Sequence, residues 1–189
     1  MTSTADVPSA GAIRHVPNVL TTLRLVAIPF FAWLLYDAPH GHSVTAGLLF
    51  GAASVTDWFD GFLARRYDVS TRFGRLADPL ADRLLIASAV LLLWHHGRVP
   101  LLAVLLILGR DLVLLSGLSI AADRGYELSV IYLGKTATFV LMGALGLIML
   151  TSAGSSIPDI VLWIGIGLSL AAGGVYVVTV ARRVRAPAR

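Results

Sequence analysis

The 189-residue sequence contains no cysteine, which excludes disulfides and thiolate metal centres. Charge is scarce as well: 14% of residues are charged and 57% are hydrophobic, and mean hydropathy is +0.80. Soluble domains run at about 25% charged and about 45–50% apolar, so an ordinary soluble globule is not expected. The first residues, "MTSTADVPSAGA", have neither a basic start nor an apolar core. No signal peptide is therefore expected, and residues 1–16 read as a disordered cytoplasmic tail. Repeats and low-complexity tracts are also missing. Nothing in the composition points to nucleic acid as a partner.

What the chain does have is long apolar runs. A bilayer core about 30 Å thick needs about 20 apolar residues per helix. Six segments approach that length: residues 20–36, 43–64, 79–94, 100–122, 131–150 and 157–181. The fold predicted is all-α, a polytopic integral membrane protein with six transmembrane helices. The membrane domain covers residues 17–182, and 183–189 form a basic cytoplasmic tail. Basic residues cluster in alternate connections: Arg14; then Arg65, Arg66, Arg72 and Arg75; then Arg124 and Lys135; then Arg182, Arg183, Arg185 and Arg189. The other connections carry only Arg98. The positive-inside rule then puts both termini in the cytoplasm of a multi-pass plasma-membrane protein. Trp33, Tyr36, Trp94 and Trp163 suit an interfacial belt, and His95 and His96 a turn at the opposite surface. Gly165, Gly167, Gly173 and Gly174 predict close helix packing.

One stretch breaks the apolar pattern. "TDWFDGFLARRYDVSTRFGRLADPLADR", residues 56–83, holds five aspartates and five arginines. A solvated loop explains Arg66, Tyr67 and Asp68. It does not explain Asp57 and Asp60, which lie in an apolar helical segment where a carboxylate costs roughly 2.5–3.5 kcal/mol at the membrane centre. Those two are three residues apart and share one helix face. Asp78 and Asp82 are four apart, and Pro79 suits a first helical position with Asp78 as N-cap. Two carboxylates thus end one helix and two open the next. Close carboxylates repel unless cations intervene, and an all-oxygen set suits Mg²⁺ or Mn²⁺ rather than zinc. Two such ions can clamp an in-line displacement at phosphorus. Gly61 and Ala64 leave room beside them, and Arg65 and Arg72 could balance a diphosphate.

The pattern Asp57-x-x-Asp60-Gly61-x-x-Ala64-Arg65, eight further residues, then Gly74-x-x-x-Asp78-x-x-x-Asp82 resembles the signature of the CDP-alcohol phosphatidyltransferases at all eight positions. The resemblance implies an enzyme of phospholipid biosynthesis that transfers a phosphatidyl group from CDP-diacylglycerol to an alcohol and releases CMP. It further implies Asp57, Asp60, Asp78 and Asp82 as ligands of two ions, Mg²⁺ or Mn²⁺. Asp82 would also serve as catalytic base, a role a carboxylate near the acceptor hydroxyl can fill. Gly61, Ala64, Arg65, Thr71 and Gly74 would bind CDP-diacylglycerol, with Asn18 and Thr21 of "PNVLT" as further contacts. A homodimer is a further expectation of the resemblance.

The acceptor lies outside this motif. "VPNVLTTLRLVAIPFF" resembles both phosphatidylglycerophosphate synthases and CMP-forming cardiolipin synthases. Arg110 and Lys135 (in "GKTAT") occur in similar places there and are candidate acceptor-binding residues. For Arg110 the alternative is pairing with its neighbour Asp111, or snorkelling. Glycerol 3-phosphate users often carry a second arginine about two turns after the first, where this chain has Leu118. A dianion wants several cations. On that ground phosphatidylglycerol, giving cardiolipin, is favoured over glycerol 3-phosphate. Three rivals remain: an ion-coupled transporter, whose charges would be spread along a path; a membrane prenyltransferase, which would need a second aspartate-rich motif; and a non-enzymatic scaffold, in which Asp82→Asn is harmless.

Overall fold

The computed structural model describes the backbone of residues 10–67, 72–123 and 132–185, and side chains within 22–56, 80–116 (except 115) and 134–179. The described residues form six α-helices: α1 (Ala10–Tyr36), α2 (Val44–Tyr67), α3 (Arg72–His95), α4 (Leu101–Asp123), α5 (Tyr132–Leu150) and α6 (Ser156–Arg185). A 3-10 turn, Pro39–Gly41, lies between α1 and α2. No strand occurs among the described residues. The all-α class and the six apolar segments predicted from sequence correspond to these helices one for one.

Two boundaries differ in an informative way. Asp78 is not an N-cap and Pro79 is not a first residue, because α3 already begins at Arg72. Arg, Leu and Ala in "RFGRLAD" are good helix formers, and they carry the helix back past the proline. Pro79 removes one i→i−4 bond there. Likewise, α1 begins at Ala10, inside the segment expected as a tail.

The connections at one end of the bundle are short and closed. Ser43 Oγ accepts from the Ala46 amide at 3.1 Å and caps α2. At the end of α3, the Gly97 amide donates to the Trp94 carbonyl and the Arg98 amide to the Leu93 carbonyl, both at 2.8 Å. That pair of bonds is a Schellman stop, and Gly97 takes the φ of +71° it requires. Arg98, the exception to the charge asymmetry, has a structural use. Its Nη2 donates to the Ile148 and Thr151 carbonyls at 2.9 and 2.8 Å, covering the end of α5. His96 Nε2 lies 3.0 Å from the Leu35 carbonyl, and the Ser43 amide donates to the Met149 carbonyl at 3.0 Å. Three connections are thereby tied into one polar seam.

Beneath the seam lies a core that includes Phe31, Leu35, Phe50, Leu85, Leu93, Ile107, Leu145, Ile148, Met149 and Leu162, drawn from all six described helices. Phe31 and Phe50 meet with ring centroids 5.5 Å apart. Helices α5 and α6 approach closely at Gly165, where an added Cβ would stand 3.1 Å from the Leu141 amide nitrogen. Gly167 and Gly174, also expected in tight packing, face open space within the chain.

The outer surface carries many large apolar side chains. Leu23, Val26, Leu48, Leu105, Leu112, Phe139 and Ile157 are all more than half exposed. Among the described residues one helical segment, Ser156–Thr179, is long and apolar enough by itself to cross a membrane. Shorter apolar stretches occupy Thr22–Tyr36, Val44–Thr56 and Gly134–Leu150.

Candidate active site

The aspartate motif falls on two neighbouring helices. α2 carries Asp57, Asp60, Gly61, Ala64 and Arg65; α3 carries Gly74, Asp78 and Asp82. α2 ends at Tyr67 and α3 begins at Arg72, so four residues separate the two helices in sequence. The side chains of Asp57, Asp60, Ala64, Arg65 and Asp78 lie outside the described residues, as do those of Asn18 and Thr21 on α1. Thr71 lies outside them entirely, and the surroundings of Gly61 and Gly74 are likewise not described. No group of three potential metal ligands occurs among the described residues. Of the four motif aspartates, only the Asp82 side chain is described.

Asp82 is half-buried and meets a cation from another helix. Arg24 Nη1 donates to Asp82 Oδ1 at 3.4 Å, and the Arg24 side chain is 1% exposed. Arg24 stands near the middle of α1, in the apolar run "TTLRLVAI". A buried guanidinium is tolerated when a carboxylate and further hydrogen bonds compensate it. Arg24 thus places a buried positive charge against the Asp82 carboxylate.

The next residue, Arg83, turns toward α4. Its Nη1 donates to Asp111 Oδ1, and Arg110 Nη1 donates to the same oxygen at 2.7 Å. Asp111 is buried, with 8% of its surface exposed. So Arg110 does pair with its neighbour, the plain alternative weighed for it, but that carboxylate also takes an arginine from α3. Arg110 Nε is buried with no hydrogen-bond partner among the described residues. The Arg110 side chain also lines an apolar groove of about 340 Å³ between α4 and α6, with Leu106, Val113, Leu170 and Gly173. Lys135 is exposed in the first turn of α5.

Arg24 and Arg83 are absent from the residues singled out by sequence, and Asp111 entered there only as the alternative partner of Arg110. A signal existed for each. Arg24 is a lone charge in an apolar run, which calls for a partner. Asp82-Arg83 and Arg110-Asp111 are acid–base dipeptides near the middles of successive helices.

Comparison with known proteins follows the same pattern. The family model "CDP-alcohol phosphatidyltransferase" matches residues 14–171. A CDP-diacylglycerol–glycerol-3-phosphate 3-phosphatidyltransferase of Rickettsia bellii is 38% identical over 170 residues, 86% of this chain and 93% of the relative. A probable phosphatidylglycerophosphate synthase of Mycobacterium tuberculosis is 38% identical over 154 residues, covering 80% of this chain and 73% of the relative. A CMP-forming cardiolipin synthase of Streptomyces coelicolor is 38% identical over 185 residues, covering 92% and 86%.

Proposed function

Because the chain belongs to the CDP-alcohol phosphatidyltransferase family and is a CDP-diacylglycerol-dependent phosphatidyltransferase, we propose that its acceptor is glycerol 3-phosphate and its lipid product phosphatidylglycerophosphate. This reverses the preference drawn from Leu118. The observation that carries it is the name shared by relatives such as the Rickettsia bellii protein, which aligns over most of both chains. The cation missing at Leu118 is also less decisive than the sequence suggested, since Arg83 reaches Arg110's carboxylate partner from α3.

In this reading Asp82 accepts the proton of the acceptor hydroxyl, whose oxygen attacks the lipid-side phosphorus. The bond to CMP breaks, and CMP departs with the negative charge. Arg24 holds Asp82 in place for that step. Arg110 and Lys135 bind the acceptor's phosphate. Asn18, Thr21, Gly61, Ala64, Arg65, Thr71 and Gly74 bind CDP-diacylglycerol, the arginine against its diphosphate.

The cysteine-free, oxygen-only donor set of Asp57, Asp60, Asp78 and Asp82, spaced three and four residues apart on adjoining helices, fits Mg²⁺ or Mn²⁺. When bound, two such ions would neutralise the diphosphate and stabilise the oxygens of the displacement. We place all six helices across the plasma membrane, with both termini and the motif on the cytoplasmic side. The apolar outer surface and the alternation of basic connections support that placement. Homodimerisation is part of the same proposal and rests on family habit.

A second reading has its own support. Phosphatidylglycerol as acceptor, giving cardiolipin, agrees with the name of the Streptomyces coelicolor relative. Supplying both acceptors side by side with CDP-diacylglycerol and Mg²⁺ or Mn²⁺, and identifying the lipid formed, separates the two. Phosphatidylglycerophosphate is the expected product, and cardiolipin with no phosphatidylglycerophosphate would overturn the choice.

A further inference from the structure

The Arg83–Asp111–Arg110 group has no part in the aspartate motif, and its geometry is unusual. Two guanidinia from different helices converge on one oxygen, Asp111 Oδ1. The Arg110 and Asp111 side chains are 9% and 11% exposed, and Arg83 is 27% exposed. Two arginines and one carboxylate leave a net charge of +1. In a half-buried site, two like charges so close repel by several kcal/mol unless an anion lies between them. Asp111 is that anion.

We infer that Asp111 is a positioning residue. It yokes Arg83 of α3 to Arg110 of α4, so that two guanidinia rather than one face the acceptor's phosphate. The inference rests on the reading of Arg110 as an acceptor ligand and extends it to two residues outside the motif. A phosphate anion prefers two forked donors held in a fixed arrangement over one flexible point charge. Arg83 thus takes the place of the second arginine that α4 lacks at Leu118. Asp82 is the residue before Arg83. The same yoke therefore sets the register between the acceptor phosphate, held from α4, and the base on α3. Arg110 keeps a buried Nε donor with no hydrogen-bond partner among the described residues, which an arriving anion could draw into use after a small rotation. Without Asp111 the two arginines would splay apart, and the acceptor would meet a wider, weaker pair.

The test is a two-substrate kinetic analysis of the full-length enzyme. Wild type is first assayed with glycerol 3-phosphate and with phosphatidylglycerol, which scores the acceptor assignment independently. Asp111→Asn and Arg83→Gln are then measured with whichever acceptor wild type uses. Each is expected to raise the KM for the acceptor about tenfold while leaving the KM for CDP-diacylglycerol within twofold. The double variant should be little worse than either single one, because both remove the same yoke. Asp111→Glu should recover part of the loss. An unchanged acceptor KM in both variants would overturn the inference. So would a parallel rise in both KM values together with a lowered unfolding midpoint, which marks a structural role only. If Asp111→Asn does not fold, Arg83→Gln alone decides between these outcomes.

Discussion

The two halves of this bundle use charge in opposite ways. At the seam between the connections, Arg98 and His96 serve the backbone: they lie on carbonyls at or just past helix ends. Midway along the helices, Arg24, Arg83 and Arg110 serve carboxylates, namely Asp82 and Asp111. The first arrangement closes a fold. The second places cations and a candidate base where no helix end needs them, at a cost that packing alone does not return. The difference teaches that a charge in an apolar bundle is read by its partner: carbonyl partners mark architecture, and carboxylate partners near a reactive motif mark chemistry.

The contrast can be tested from both sides. The largest effect is expected at Asp82→Asn. CMP release should fall at least a thousandfold, the upper part of the range for losing a general base. The unfolding midpoint should stay within a few degrees, because asparagine still accepts from Arg24. Near-wild-type release would remove Asp82 from the mechanism. Arg24→Met comes next. With Asp82 no longer oriented, turnover should drop about a hundredfold, and part of that should return in Arg24→Lys, which keeps the charge but not the forked head. Equal activity in all three proteins would assign Arg24 to packing.

The seam should answer differently. Arg98→Met exposes two carbonyls and should lower stability by about 1–3 kcal/mol in thermal or denaturant unfolding. Activity per folded molecule should remain near wild type. Gly41→Ala belongs to the same class and should cost about 1–2 kcal/mol: Gly41 sits at φ +65°, and a new Cβ would lie 2.8 Å from His96 Cβ. If either seam variant lost turnover without losing stability, the division between the two halves would fail.

Much of this division was legible in the sequence, though not all of it. Apolar run length gave six helices in the right places, because length and hydropathy are local properties. The aspartate spacing was local too. Pro79 misled about where α3 starts, since a proline reads as a helix beginning whether or not its neighbours extend the helix backwards. The pairing of Arg24 with Asp82 spans 58 positions and that of Arg83 with Asp111 spans 28. Only the tertiary packing of α1 on α3 and of α3 on α4 brings these side chains together, so no spacing rule could state them. The glycines show the same limit. Gly165 has the close backbone neighbour expected, while Gly167 and Gly174, on the same helix, do not.

The most direct measurement is CMP release from CDP-diacylglycerol by the purified enzyme with Mg²⁺ or Mn²⁺, with and without glycerol 3-phosphate. Release that begins only when glycerol 3-phosphate is added, matched by equal formation of phosphatidylglycerophosphate, is the expected result. CMP released at the same rate without any acceptor, or none released with glycerol 3-phosphate present, would contradict it.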